Sequence, residues 1–203
     1  KINIIDVGAS DGIATKFFYK NLSVNKIICY EPNKPYIDIL KKLNFNNVIV
    51  RPYGISQKES RHKVFLPRYK FLKRNFDLVT YTFYDKKDLI KQIRIDFKFI
   101  KNITIIKKII LLKRVKKMSY RISLIKIDVN GHEYSVVRGL QTIIKRDKPA
   151  MIIETDKNIK KIESYLKKFS YEKYLYDAVN KNFKKINKNY PLNTYFLQKN
   201  HLG

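Results

Sequence analysis

An apolar run from Ile2 to Val7 passes directly into Gly8-Ala9-Ser10-Asp11-Gly12, then into Ile13, Ala14, Phe17 and Phe18 at helical spacing. A buried strand that turns through closely spaced glycines into a helix constrains the fold more than any other feature of the chain. The alternation continues. Residues 26–31 read as a second strand, Asn33 and Pro35 open a helix striped by Tyr36, Ile37, Leu40 and Leu43, and residues 47–51 read as a third strand. Such a β-α-β-α-β start predicts a parallel sheet with right-handed crossovers.

The pattern resumes at Ile122. Residues 122–128 read as a fourth core strand, followed by one helix carrying Val136, Val137, Leu140, Ile143 and Ile144. A fifth strand at 149–155 and a helix striped by Ile159, Ile162, Leu166 and Phe169 come next. Residues 171–178 and 194–198 look like closing strands separated by a polar Asn/Lys loop, as in an antiparallel edge hairpin.

Between the halves lies a basic stretch, residues 61–117, with 18 Lys or Arg and 4 Asp. Within it, residues 62–66 read as a short strand and 103–112 as another. Leu89, Ile90, Ile93, Phe97 and Ile100 form a helical stripe flanked by Lys86, Lys87, Lys91, Arg94, Lys98 and Lys101. At 203 residues we expect one α/β domain over 1–203. The basic stretch then becomes an insertion over the carboxyl ends of the strands.

Three segments carry chemistry. In the first, Asp6 to Gly12, the glycines let backbone approach a ligand, and the amides at the helix start favour an anionic group. The spacing is not that of the dinucleotide fingerprint, because Ser10 stands at the second glycine. It fits the looser D-x-G-x-x-x-G of class I methyltransferases, whose cofactor carries an ammonium and a sulfonium that Asp6 or Asp11 suits. The second segment is Glu31, which ends its strand 25 residues after Asp6, where doubly wound folds place an acid that accepts both ribose hydroxyls. Pro32 and Asn33 shape the loop beside the adenosine. The third is Lys126-Ile127-Asp128-Val129-Asn130-Gly131-His132-Glu133, at the carboxyl end of the fourth strand beside the topological switch point. Asp128, His132 and Glu133 there either touch cofactor and substrate or serve the following helix, with Asp128 or Asn130 capping it.

Together these segments resemble the FkbM-type methyltransferase family, which looks like Asp-Val-Gly-Ala-Asn-x-Gly, a strand ending in Glu-Pro, and a later Lys-Ile-Asp-Val-Glu-Gly-x-Glu. The matching stretches are Asp6 to Gly12, Tyr30-Glu31-Pro32 and Lys126 to Glu133, supported by Val136 to Leu140 and Pro149 to Glu154. The resemblance covers 2–56 and 120–178 well and 61–117 poorly. Ser10 replaces the common Asn, and Asn130 replaces a Glu. The resemblance implies a doubly wound, Rossmann-like class I methyltransferase sheet, mostly parallel with an antiparallel edge hairpin. It also implies S-adenosylmethionine as cofactor, held by Asp6, Gly8, Ala9, Ser10, Asp11, Gly12, Glu31, Pro32, Asn33 and Asp128. The implied reaction is O-methylation of a sugar, glycan or small-molecule hydroxyl, for which Asp128, His132, Glu133 and Glu154 are the candidate bases. A divalent metal on Asp128 and Glu154 has no support from spacing, and no metal is expected.

The net charge of +27 points to polyanionic partners: nucleic acid, an acidic glycan or an anionic membrane surface. Lys outnumbers Arg 35 to 9, as an AT-rich genome would produce, whereas phosphate readers favour Arg. RNA methylation is the alternative activity, motivated by Tyr69, Phe71, Tyr81 and Phe83 among the basic residues. A degenerate cofactor-binding protein is the non-enzymatic alternative, kept open by Asn130. The single cysteine, Cys29, reads as a buried thiol suited to a reducing cytoplasm. No run is apolar enough to span a bilayer. A cytoplasmic location is expected, with any membrane contact at the inner membrane face. The chain opens without Met, as a trimmed domain would.

Overall fold

The computed structural model describes residues 1–98, 100, 102–187 and 189–202; Lys101, expected to flank the basic helix, lies outside them. In chain order the first half runs β1 (Ile2–Val7), α1 (Ile13–Asn21), β2 (Val24–Tyr30), α2 (Lys34–Lys42) and β3 (Val48–Arg51). The middle contains β4 (Gly54–Ile55), β5 (Ser60–Phe71), β6 (Arg74–Asp77), a 3-10 turn (Val79–Tyr81), α3 (Lys86–Asp96) and β7 (Ile103–Lys113). The last part runs β8 (Leu124–Ile127), α4 (Glu133–Gly139), α5 (Gln141–Asp147), β9 (Ala150–Glu154), α6 (Ile159–Lys167), β10 (Glu172–Asp177), β11 (Asn182–Lys185) and β12 (Asn193–Leu197).

The main sheet has eight strands in the order β11-β10-β12-β9-β8-β1-β2-β3. The five strands from β3 to β9 are parallel, and β12, β10 and β11 are antiparallel. This is the α/β class read from the sequence. Side chains alternate across the sheet, so β1 and β2 feed two cores. Ile5, Val7, Ile28 and Tyr30 pack with α4, α5 and α6 residues such as Val136, Ile143 and Ile162. Ile4, Ile27 and Cys29 pack on the other face with Phe18 and Leu40 of α1 and α2.

Several elements differ from the sequence expectation. The polar loop after β10 contains a further strand, β11, which pairs with β10 through Tyr174↔Lys185. A solvated edge strand buries little, so its Asn and Lys residues give no apolar alternation. The single helix expected after Asn130 is two, meeting at Leu140. The break follows Gly139, which packs so tightly on β4 that an added Cβ would fall 2.5 Å from the Ser56 carbonyl oxygen. α3 stops at Asp96, leaving Phe97 as its cap and Ile100 exposed. Residues 62–66 belong to the much longer β5, which pairs with β7 from Ser60↔Leu112 to Tyr69↔Ile103. The basic stretch is thus built around a second sheet, β4-β7-β5-β6. Among the described residues no helix is long and apolar enough to cross a membrane.

Candidate functional site

The glycine turn is shaped by the strand beside it. Gly8 has φ +74°, and a Cβ there would lie 1.9 Å from the Asp128 carbonyl oxygen, so only glycine lets β1 and β8 close at this point. Its amide donates to the Tyr30 carbonyl at 3.0 Å, which ties the turn to β2 as well. Ser10 takes a left-handed φ of 48° and donates its amide to Glu31 Oε2 at 3.0 Å. The Asp11 carboxylate accepts from the Ile13 amide at 3.2 Å at the mouth of α1.

Glu31 is almost fully buried at the end of β2. Its Oε1 accepts from the Asn33 amide at 2.9 Å and from Asn33 Nδ2 at 3.0 Å. With Ser10 on Oε2, three of about four carboxylate lone pairs are taken. One position therefore remains for a hydroxyl, unless the Asn33 side chain turns away, whereas the sequence reading has this carboxylate accept both ribose hydroxyls. Burial raises the Glu31 carboxyl above its ordinary range, against the hydrogen bonds that hold it charged.

Lys126 occupies the junction of β1 and β8. Its Nζ donates to the Gly8 carbonyl at 3.2 Å and lies 3.2 Å from Asp128 Oδ2 and 3.6 Å from Asp6 Oδ1. Burial works against its charge, but the Asp6 and Asp128 carboxylates outweigh it and hold the ammonium above its usual range. Asp6 is fully buried beneath the turn, where Oδ2 accepts from the Thr15 hydroxyl at 2.7 Å. It underpins the loop and does not line the cavity above it. Cys29 sits beside this pair, 3.2 Å from Thr15 Oγ1. Burial, then Asp6, push its thiol up to about 12, so it is an unreactive core residue.

Above the turn opens a cavity of about 480 Å³ at the carboxyl ends of β1, β2, β8 and β9. Gly8, Ala9, Ser10, Asp11, Glu31, Pro32, Asn33, Asp128 and Glu154 line it, as does Lys126. Gly12, also expected at the site, caps α1 at φ +81°, where a Cβ would meet Leu40 and Leu43. Burial, then the adjacent Asp128 carboxylate, push the Glu154 carboxyl up to about 7, with Lys126 opposing.

Glu133 and His132 are turned away from the cavity. Glu133 is fully buried, and its carboxylate reaches back to accept from the amides of Val129 at 3.0 Å and Gly131 at 3.1 Å. Both amides precede α4, so these bonds order the loop before the helix; the capping expected of Asp128 or Asn130 is absent, because His132 holds the cap position and no side chain caps the helix. Burial, then Asp156, push Glu133 up to about 8. The Asp156 carboxylate accepts from the amide of Asn158, which holds the cap position of α6. The His132 ring stacks on Tyr84 with centroids 4.0 Å apart, and its Nε2 is 3.3 Å from Ser56 Oγ. Burial, then His62, push its imidazole down to about 4.

Five lining residues come from the basic stretch: Val79, Thr80, Thr82, Tyr84 and Ile110. No local pattern marks them; contacts distant in sequence bring them here. Asn130, at φ 53°, donates Nδ2 to the carbonyls of Thr80 at 3.3 Å and Thr82 at 3.2 Å. The Tyr36 and Thr80 hydroxyls also pair, so the 3-10 turn is fastened to α2 and to the β8 loop. Among the described residues no three His, Cys, Asp or Glu side chains are grouped to hold a metal ion.

The family model of the methyltransferase FkbM domain matches residues 6–176. The chain belongs to the FkbM methyltransferase family. The FkbM model thus runs through the basic stretch, which the sequence motifs covered poorly. No curated protein matches the chain. Among solved structures it is similar to the methyltransferase FkbM from Methylobacillus flagellatus KT, with TM-score 0.58 and 15% identity over 97% of this chain. At that identity the likeness shows the fold. The match covers 43% of that protein, so this chain spans less than half its length. An rRNA methylase from Streptococcus thermophilus aligns over 98% of this chain and 88% of its own, with TM-score 0.45 and 10% identity. M. capricolum TrmK, in complex with S-adenosyl-homocysteine, aligns over 96% and 60%, with TM-score 0.41 and 11% identity.

Proposed function

We propose that this FkbM-family chain transfers a methyl group from S-adenosylmethionine to a hydroxyl of a glycan or small molecule, with Glu154 as general base. One observation carries the reading: Asp128 and Glu154 end adjacent parallel strands and line the same cavity as the glycine turn and Glu31. The donor and acceptor set fits the cofactor. Glu31 keeps a lone pair for a ribose hydroxyl, Pro32, Asn33 and Tyr36 border space for the adenine, and Asp128 offers a carboxylate to an ammonium. The size lies within the roughly 300–1,000 Å³ usual for small-molecule sites.

The bound cofactor supplies an electrophilic methyl group on a sulfonium. The chain's part is to hold the acceptor oxygen in line with it and to remove the hydroxyl proton. With S-adenosylmethionine bound to supply the methyl group, the Glu154 carboxylate would accept the proton that the acceptor hydroxyl gives up. A carboxyl raised to about 7 is matched to this task at neutral pH. His132, at about 4 and behind Tyr84, is not placed for it. Thr80, Thr82 and Asn130 give the cavity hydroxyl and amide groups suited to a polyhydroxyl acceptor.

The test is calorimetric titration with S-adenosylmethionine and S-adenosylhomocysteine, followed by an acceptor screen with labelled cofactor. Micromolar binding lost in Glu31→Ala, with transfer to glycans lost in Glu154→Gln, is the expected result. A folded chain that binds neither compound overturns the proposal.

A further inference from the structure

The second sheet has an outer face that the transferase reading does not use. Directly opposite residues share a face, so the registers Lys63↔Ile109, Arg61↔Leu111 and Phe71↔Arg74 put these six side chains on one side. Phe76, opposite Tyr69, joins them. The inner face carries Val64, Leu66, Ile110 and Leu112, all buried. The outer one is open towards its two ends, with Ile109 68% exposed, Phe71 51% and Phe76 47%, while Phe65, Pro67, Tyr69 and Ile105 between them are half-buried or buried. The β5–β6 turn extends it with Leu72, 80% exposed, and Lys73.

Within the strands the charge on this face is all positive; one acid, Glu59 just before β5, borders it and pairs with Lys113 at 3.8 Å. The only acid in the four strands, Asp77, lies on the inner face, held by Arg68 at 2.7 Å and Lys108 at 3.0 Å. Among the described residues, Arg61, Lys63, Arg74 and Lys107 have no ion-pair partner. Aliphatic and aromatic side chains ringed by free cations gain from leaving water at a surface that is anionic outside and apolar beneath. Phe71 and Phe76 have π faces for a nucleobase, but the exposed aliphatic Ile109, Leu111 and Leu72 gain only from an apolar interior, which favours a bilayer over single-stranded RNA as the occupant. Two copies meeting through this face would bring like charges together.

We infer that the outer face of the β4-β7-β5-β6 sheet, led by the Phe71-Leu72 turn, docks the protein on the surface of an anionic phospholipid bilayer. This contact is independent of the transferase reading, and its test needs neither cofactor nor acceptor.

The experiment is flotation of the full chain with vesicles of phosphatidylcholine alone and of phosphatidylcholine mixed with phosphatidylglycerol. Binding is expected only to the mixed vesicles. Lys63→Gln with Lys107→Gln should weaken it roughly thirtyfold, about fivefold per basic residue removed from an anionic surface. Phe71→Ser with Ile109→Ser should weaken it on the order of tenfold or more through lost apolar burial. Lys160→Gln with Lys161→Gln, exposed on α6, should bind as wild type. Circular dichroism checks each variant, and Leu72→Ser, at the exposed turn, replaces any that does not fold. Three results overturn the inference: no flotation with mixed vesicles, equal loss in the α6 variant, or binding untouched by the apolar substitutions. Salt-sensitive binding of single-stranded RNA without vesicle binding would assign the face to nucleic acid instead.

Discussion

Lys126 Nζ donates a 3.2 Å hydrogen bond to the carbonyl oxygen of Gly8, a residue 118 positions earlier in the chain. Through that bond, and the pairing of the same ammonium with Asp6 and Asp128, the two halves of the site are held as one unit.

Lys126→Met should therefore act on stability first. It strands the Asp6 carboxylate, 0% exposed, with the Thr15 hydroxyl as its remaining partner. Breaking a buried pair on one side costs about 3–5 kcal/mol. Urea denaturation measures the loss, and the Asp6→Asn, Lys126→Met double variant should recover part of it.

Glu31→Gln should weaken S-adenosylmethionine binding by about 10- to 100-fold, the worth of a hydrogen bond to a charged acceptor. The new amide also brings N–H groups against the donors of Ser10 and Asn33. Calorimetry reads the affinity; an unchanged value would remove Glu31 from the cofactor site.

The rate of transfer should rise through pH 7 as Glu154 loses its proton, since its carboxyl is pushed up to about 7. In Glu154→Gln the limb should vanish along with most of the rate, as a pH profile of single turnovers would show.

Stability should fall between about pH 6.5 and 8. Glu133 and Glu154 are raised, to about 8 and about 7, so above their unfolded range the folded state binds more protons than the unfolded one. Stability then declines as pH rises through the folded values. His132, lowered to about 4, has the opposite slope, but it acts only below its unfolded value near 6.5. Thermal melts across this window should show the decline, and Glu133→Gln should flatten the part near pH 8.

Asn130→Ala removes the two hydrogen bonds to Thr80 and Thr82 and puts alanine at φ 53°. A loss of about 1–3 kcal/mol is expected, with faster amide exchange at 79–82. Asn130→Glu should behave similarly, because a carboxylate donates nothing to carbonyl oxygens. Exchange rates at 79–82 identical to wild type would sink this account.

The parallel half of the fold was legible because its signals are local. Strand–turn–helix units with buried faces leave apolar periodicity in the sequence, and Gly8, Glu31 and Asp128 fall at strand ends that periodicity locates. The edge strand β11 was hidden because an exposed strand needs no apolar alternation. The break at Leu140 was hidden because it follows the contact of Gly139 with β4, far away in sequence.

By itself, then, the sequence determined the alternating α/β architecture, the glycine turn and the acids at the strand ends, all set by short-range pattern. Only the tertiary structure decided which of them share the cavity. Burial turned Asp6, His132 and Glu133 inward, and long-range pairing brought Thr80, Thr82 and Tyr84 over the strand ends. Where a side chain ends up depends on what packs against it, and that partner is written elsewhere in the chain.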